Sequence, residues 1–157
     1  MKQLLVAAVL LLAGCSSNSQ ASWQTAEVKD LDNGAVVVLG EVLPQTTSIV
    51  TLWSVWCVPC RQELPHLERL EESDGAISVV GINIGDDEAS TREFLNELGV
   101  TFANYRDEDA ALLTSLKVPA VPATFIVDSK QEIVWKHLGA LNQDDLTAAI
   151  DRYAQVG

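Results

Sequence analysis

The chain has 157 residues, enough for one globular domain that buries most of the surface of its unfolded chain. Its composition, 48% hydrophobic and 20% charged residues, excludes an intrinsically disordered protein. A formal net charge of −12 argues against nucleic-acid binding, because phosphate recognition needs clustered lysine and arginine. Such acidity is typical of a soluble, self-repelling surface, and the alternative is that it steers a basic partner to the protein.

The N-terminal residues 1–14 predict a lipoprotein signal peptide. Lys2 precedes an uninterrupted apolar run at 4–13, which is about half the ~20 residues that a membrane-spanning helix needs. The run ends in Leu-Ala-Gly-Cys, which resembles the lipobox of bacterial lipoproteins and implies cleavage before a lipidated Cys15. Two or more acyl chains would then hold the protein stably on a membrane. The alternative is a signal anchor that is not cleaved.

A tether and a single domain are predicted to follow. Residues 15–26 carry the lipid and continue as a flexible tether, since 16–22 are small and polar. The domain is predicted to occupy 27–157. It opens with an N-terminal β-hairpin, because Asp-Asn-Gly at 32–34 is a turn signal between apolar residues.

The rest of the domain alternates buried strands with amphipathic helices. Apolar runs rich in β-branched residues at 49–53 and 77–82 predict two strands. Helical periodicity follows the first from Pro59 and the second from a cap at Asp86 or Asp87. The remaining predicted elements are a short helix near 109–116, a strand at 123–127, its hairpin partner at 132–137 and a last helix capped by Asn142. This order predicts an α/β fold with a mixed β-sheet flanked by helices on both faces.

The strongest chemical signal is the pair Cys57 and Cys60. Two cysteines three apart, at the start of a helix that follows a buried strand, can close a small disulfide ring. The first of them sits where free backbone N–H groups stabilise a thiolate, which is the nucleophile of disulfide exchange. Pro59 suits the first helical turn, where its missing N–H costs nothing. The motif therefore predicts dithiol–disulfide exchange.

Two other interpretations of this cysteine pair have less support. A zinc site needs about four ligands, and the sequence offers no second cysteine pair, only His66 and His137 at unsuitable spacing. We therefore expect no metal, and we expect both histidines to be surface or packing residues. An inert structural disulfide would add little stability, because a ring of four residues restricts the unfolded chain little.

The motif also resembles a known family. Trp53 and Trp-Cys-Val-Pro-Cys at 56–60 resemble the active-site strand and helix of the thioredoxin superfamily, and Val-Pro-Ala-Thr-Phe at 121–125 resembles its cis-proline segment. Arg-Gln-Glu-Leu-Pro at 61–65, with a proline expected to kink the helix, is most similar to the TlpA/ResA-like group. Members of that group are membrane-tethered reductases associated with cytochrome c maturation. The resemblance covers roughly 27–154 and implies a thioredoxin-like fold.

The resemblance implies roles for five residues. Cys57 would be the exposed attacking thiolate, and Cys60, more buried, would resolve the mixed disulfide. Pro122 would lie in cis against the cysteine pair, and Val121 would offer its backbone to a substrate strand. Trp56 would contact the substrate, or would serve only as aromatic packing near the site.

Glu63 and Pro119 leave alternatives open. Glu63 matches the glutamate that this group carries near the second cysteine. If partly buried, its raised pKa would let it shuttle a proton for Cys60; otherwise it is a solvated helix glutamate. Thioredoxin has a buried aspartate where this chain has Thr51, which shifts any proton-relay role towards Glu63. Pro119 is the other candidate for the cis bond, and Pro122 is preferred because it directly precedes the strand.

The residues between the cysteines bear on the direction of exchange. Strong oxidases of this fold have a histidine there that stabilises the thiolate, whereas Val58 and Pro59 offer no charge or hydrogen-bond donor. We therefore favour a reductase over an oxidase or isomerase. Two further alternatives are a non-catalytic binding or holdase domain and a thioredoxin-fold peroxidase, for which Ser54 and Val50 stand where threonine and proline are needed.

The resemblance also implies partners and a location. Exported proteins such as apocytochrome c would be substrates, and a membrane thiol carrier would donate electrons. The protein would be an extracytoplasmic lipoprotein, on the periplasmic face of an inner or outer membrane or on the outer face of a single membrane. No cofactor is expected, and we expect a monomer.

Overall fold

A computed structural model describes residues 21–73 and 75–153 of the chain. The predicted signal peptide at 1–14 and the lipidated Cys15 lie outside the described residues. Within the described ranges, no helix combines the length and apolarity needed to cross a bilayer.

The described chain folds into seven strands and six helices. In chain order they are α1 (Ala21–Gln24), β1 (Glu27–Asp30), β2 (Val36–Val38), α2 (Leu39–Val42), β3 (Ser48–Trp53), α3 (Val58–Ser73), β4 (Ser78–Ile84), α4 (Glu88–Leu98), β5 (Ala103–Asp107), α5 (Ala111–Ser115), β6 (Ala123–Val127), β7 (Ile133–Leu138) and α6 (Gln143–Tyr153).

All seven strands form one mixed sheet in the order β2-β1-β5-β4-β3-β6-β7. The three central strands β5, β4 and β3 run parallel to one another, and the outer pairings are antiparallel. The predicted N-terminal hairpin is confirmed, since Val28 on β1 pairs with Val37 on β2. At the other edge, the register between β6 and β7 shifts between Ile126 and Val127.

Strand β5 is absent from the sequence-based prediction, which places no strand between 77–82 and the short helix. Its sequence is Ala-Asn-Tyr-Arg-Asp, and four of these five residues are buried. Asn104, Arg106 and Asp107 each satisfy their polar groups through tertiary hydrogen bonds. The strand is therefore buried without the apolar pattern by which strands are recognised.

The sheet separates two hydrophobic clusters, and alternate residues of β3 enter each. Val50 and Leu52 pack with residues of α1, α2 and α5. Ile49 and Trp53 pack with residues of α3, α4 and α6. Helices therefore cover both faces of the sheet, as the order of elements predicts.

Helix α1 lies inside the segment that was predicted to be a tether. Trp23 is only 3% exposed and belongs to the same cluster as Val50. The Gln24 side chain donates a hydrogen bond of 2.6 Å to the carbonyl of Gln131, far along the chain. Residues 23–26 are therefore part of the packed domain, whereas the sequence predicted that the domain begins at residue 27.

Two helix starts agree with the predicted caps. Asp87 is the N-cap of α4, where its carboxylate accepts the N–H of Ser90 at 2.9 Å. Asn142 accepts the N–H of Asp145 at 2.8 Å at the start of α6. Asp86, the other candidate for the first cap, contacts the cysteine-bearing turn instead.

Candidate active site

Cys57 and Cys60 form a disulfide at the start of α3. Cys57 directly precedes the helix, and Cys60 lies in its first turn. The backbone N–H of Cys60 points at the Sγ of Cys57, with a distance of 3.2 Å between nitrogen and sulfur. A helix N-terminus stabilises negative charge, so this geometry favours a thiolate on Cys57 once the disulfide is reduced.

The turn between β3 and α3 fixes the position of Cys57. The N–H of Cys57 donates to the carbonyl of Ser54 at 3.1 Å, and the carbonyl of Cys57 accepts the N–H of Arg61 at 3.2 Å. The Ser54 hydroxyl and the Val55 N–H both donate to the carboxylate of Asp86. Sequence reasoning treated Asp86 only as a possible helix cap and missed this contact.

Cys57 is less exposed than the sequence predicted. Cys57 was predicted to be exposed, but it is 3% exposed and Cys60 is 1% exposed. Cys57 is buried because its sulfur is bonded to Cys60 and both belong to the cluster that contains Trp53. Trp56 and Val58 on either side of Cys57 are 66% and 72% exposed, so two exposed apolar side chains flank the buried Cys57.

The peptide bond between Val121 and Pro122 is cis, as the sequence predicted for Pro122 in preference to Pro119. The carbonyl of Pro122 accepts the N–H of Gly139 at 2.9 Å, which joins this segment to the end of β7. Val121 packs against the cluster that holds both cysteines. The fold therefore brings the two motifs together, although more than sixty residues separate them in the chain.

Glu63 is a buried carboxylate one turn beyond Cys60, with 5% of its surface exposed. Its Oε1 accepts the hydroxyl of Thr124 at 2.6 Å, and the Thr51 hydroxyl lies 3.3 Å from that of Thr124. Its Oε2 is buried without a protein hydrogen-bond partner. Burial raises the pKa of Glu63, and the hydrogen bond from Thr124 is the largest opposing effect. The alternative of a solvated helix glutamate is therefore excluded.

A groove of about 480 Å³ runs beside α3 and reaches Glu63. Its lining includes Pro59 and Gln62 on the helix and residues 140–144 on the opposite wall. Glu63 is therefore a buried carboxylate that borders an open groove.

Replacing Glu63 by glutamine is expected to change the pH dependence of stability. The folded protein favours the neutral carboxyl, so the wild type loses free energy of unfolding relative to E63Q as the pH rises from about 4.5 through the folded-state pKa. The slope of that difference is at most about 1.4 kcal/mol per pH unit. Denaturant unfolding of both proteins across this pH range measures it, and a difference that does not vary with pH would contradict the burial argument.

His66 and His137 occupy partly exposed positions near the groove. His66 contacts the side chain of Gln143, and the ring of His137 stacks on that of Trp135. Within the part of the chain that the structure describes, no three histidine, cysteine, aspartate or glutamate side chains are grouped so as to hold a metal.

Two curated proteins similar to this chain are named for thiol–disulfide exchange. Thiol:disulfide interchange protein DsbE of Escherichia coli strain K12 is 35% identical over 117 residues, which are 73% of this chain and 62% of that protein. Thiol-disulfide oxidoreductase ResA of Geobacillus kaustophilus is 25% identical over 99 residues, 62% of this chain and 57% of that protein. The chain thus matches about three-fifths of the length of these relatives.

Solved structures show the same fold. A secreted disulfide oxidoreductase of Mycobacterium tuberculosis, homologous to DsbE of Escherichia coli, superimposes with a TM-score of 0.71 at 22% identity and covers 82% of this chain and 96% of its own. A thioredoxin-like protein from Aeropyrum pernix superimposes with a TM-score of 0.69 at 19% identity. The match covers 82% of this chain and 89% of that protein. The predicted thioredoxin-like fold is confirmed. The family model described as Redoxin matches residues 19–152, and the chain therefore belongs to the Redoxin family.

Proposed function

We propose that this protein is an extracytoplasmic thiol–disulfide oxidoreductase that reduces disulfides in exported proteins through Cys57 and Cys60. The observation that carries the proposal is a disulfide at the start of α3 in a Redoxin-family chain, packed in one cluster with the residue that precedes a cis-proline. The curated relatives are named for thiol–disulfide exchange, which supports the same reaction here.

The first step uses the reduced protein. The Cys57 thiolate, stabilised by the N–H of Cys60 and by the helix N-terminus, attacks one sulfur of the substrate disulfide. A mixed disulfide forms between Cys57 and the substrate, and the other substrate sulfur leaves as a thiolate.

The second step regenerates the disulfide in the protein. Cys60 loses its proton and attacks the Sγ of Cys57, so that the second substrate sulfur leaves as a thiolate and both electrons have passed to the substrate. We assign Glu63 as the base for Cys60, because the two lie three residues apart on one helix and therefore share a face. A carboxylate with a raised pKa is a better proton acceptor near neutral pH than an ordinary one.

The surface around the disulfide would bind the substrate. Trp56 offers an exposed aromatic side chain next to Cys57, and Leu138 adds a second exposed apolar side chain at the end of β7. Leu138 pairs with Ala123, directly after Pro122. We assign the backbone at Val121 and Pro122 to the substrate strand. An extended segment with apolar side chains, such as an unfolded exported protein, fits this surface.

The direction and the location that we propose rest on features of the sequence. Val58 and Pro59 place no charge or side-chain donor beside the Cys57 sulfur, which favours a reductase over an oxidase or isomerase. We propose that the signal peptide at 1–14 is removed and that Cys15 carries the lipid. The packed domain would then act at a membrane surface as a monomer, receiving electrons from a membrane thiol carrier. Apocytochrome c is one candidate substrate.

Reduction of insulin disulfides by dithiothreitol tests the proposal. We expect the full chain to accelerate the reaction well above the uncatalysed rate, and its equilibrium with glutathione to lie on the reducing side of the thioredoxin-like range. A rate no greater than that of dithiothreitol alone, with retained binding of unfolded protein, would instead favour a holdase. A potential close to the strongly oxidising value of about −120 mV would favour the oxidase.

A further inference from the structure

One carboxylate oxygen ties the cysteine-bearing turn to the neighbouring strand. Oδ2 of Asp86 accepts three hydrogen bonds: from the Ser54 hydroxyl at 2.7 Å, from the Val55 N–H at 2.8 Å and from the Asn83 side-chain amide at 2.7 Å. Ser54 and Val55 follow β3, and Asn83 belongs to β4. The Asp86 side chain therefore joins the ends of two parallel strands at the edge of the sheet from which α3 begins.

The backbone of Asp86 is held as firmly as its side chain. Its carbonyl accepts two hydrogen bonds from the Arg106 guanidinium, at 3.1 Å and 2.8 Å, and its N–H donates to the side-chain oxygen of Asn83 at 3.2 Å. Arg106 is itself nearly buried and forms an ion pair with Glu108 at 3.1 Å. Asp86 thus links the turn to β4 and to β5.

The contact lies directly before the reactive sulfur. The carbonyl of Ser54, the residue whose hydroxyl Asp86 holds, accepts the N–H of Cys57. The position of Ser54 therefore sets the position of the Cys57 backbone, and with it the distance between the Cys57 sulfur and the N–H of Cys60.

We propose that Asp86 is a positioning residue for Cys57. Asp86 clamps the turn at 54–57, so that the Cys57 sulfur continues to face the N–H groups at the start of α3 after reduction. The inference rests on the proposed function, since it concerns the reactivity of Cys57. It assigns no contact with substrate to Asp86. The clamp acts through hydrogen bonds rather than through charge, because a negative charge near a thiolate would oppose it.

The pH profile of Cys57 alkylation in the reduced full chain tests the clamp. Iodoacetamide is the probe, and peptide mass spectrometry separates Cys57 from Cys60 and Cys15. For Asp86→Ala we expect the pKa of the Cys57 thiol to rise by about one unit, so that the midpoint of the alkylation profile moves to higher pH and alkylation below the wild-type midpoint slows by about tenfold. Asp86→Asn keeps an acceptor oxygen and removes the charge, so it is expected to react at least as fast as the wild type.

Two further variants separate the clamp from a general loss of stability. Glu68 is a matched control, because it is a carboxylate that, like Asp86, accepts three hydrogen bonds, here from Thr101 and Phe102. Glu68→Ala is expected to lower the unfolding free energy without changing the Cys57 profile. Ser54→Ala removes one of the three donors and is expected to shift the profile in the same direction as Asp86→Ala, but less.

Three results would overturn the clamp. They are an unchanged profile in Asp86→Ala and Ser54→Ala, equal shifts in Asp86→Ala and Asp86→Asn, and an equal shift in Glu68→Ala. A wild-type Cys57 no more reactive than an ordinary peptide thiol would instead contradict the proposed function itself.

Discussion

Replacing Cys57 by serine is expected to reduce catalysed disulfide reduction to the uncatalysed rate, whereas replacing Cys60 is expected to trap the substrate on the protein. The sulfur of Cys57 accepts a hydrogen bond from the N–H of Cys60, so replacing Cys57 removes the nucleophile. Cys60 acts only afterwards. In its absence the mixed disulfide on Cys57 has no internal thiol to resolve it, and it accumulates.

The two variants are compared on a substrate with one disulfide, with non-reducing electrophoresis and mass spectrometry of the adduct. Cys15→Ser in each background is the matched control, because that cysteine lies outside the described domain and should not capture substrate. If Cys57→Ser traps substrate and Cys60→Ser does not, the roles of the two cysteines are reversed.

Replacing Gly81 by alanine is expected to destabilise the protein by about 3 kcal/mol. A Cβ built on Gly81 would lie 2.0 Å from Oδ1 of Asn104 and 3.0 Å from the ring of Phe102. That oxygen accepts the indole N–H of Trp53 at 3.0 Å, and the amide of the same side chain donates to the carbonyl of Phe102 at 2.9 Å. Moving Asn104 aside would therefore leave a buried indole N–H unpaired, which costs about 1–3 kcal/mol in addition to the steric cost of overpacking.

Gly75→Ala is the control for this substitution, because an added Cβ there would meet nothing within 4 Å. We expect it to change the unfolding free energy by no more than about 0.5 kcal/mol. Denaturant unfolding of the oxidised proteins, followed by tryptophan fluorescence, measures both. Equal stability of the two variants would show that Asn104 can move at little cost.

The sequence predicts the fold wherever burial coincides with apolar residues. Strands β3, β4 and β6 and the helices α3, α4 and α6 all have that pattern and were placed within a few residues. Strand β5 does not, because its buried polar residues are paired with groups on other elements. Helix α1 was missed for a different reason, since four residues are too few to show a helical period.

The sequence predicts those residues of the site that belong to short sequence motifs. The cysteine pair could be identified from adjacent residues, whereas Pro122 and Glu63 were identified through the resemblance to the thioredoxin superfamily and its TlpA/ResA-like group. The burial of Cys57 and the bond from Thr124 to Glu63 depend on packing between distant segments. Asp86 shows the same limit, because nothing in Gly-Asp-Asp at 85–87 indicates which carboxylate caps α4 and which one holds the turn.

The two edge strands of the sheet, β2 and β7, affect whether copies of this protein associate at high concentration. Exposed backbone N–H and C=O groups on a long, flat outer strand invite pairing with another molecule. Here β2 has only three residues, and β7 has the positively charged Lys136 and a shifted register opposite Val127. Both features discourage strand-to-strand association between copies of the folded domain.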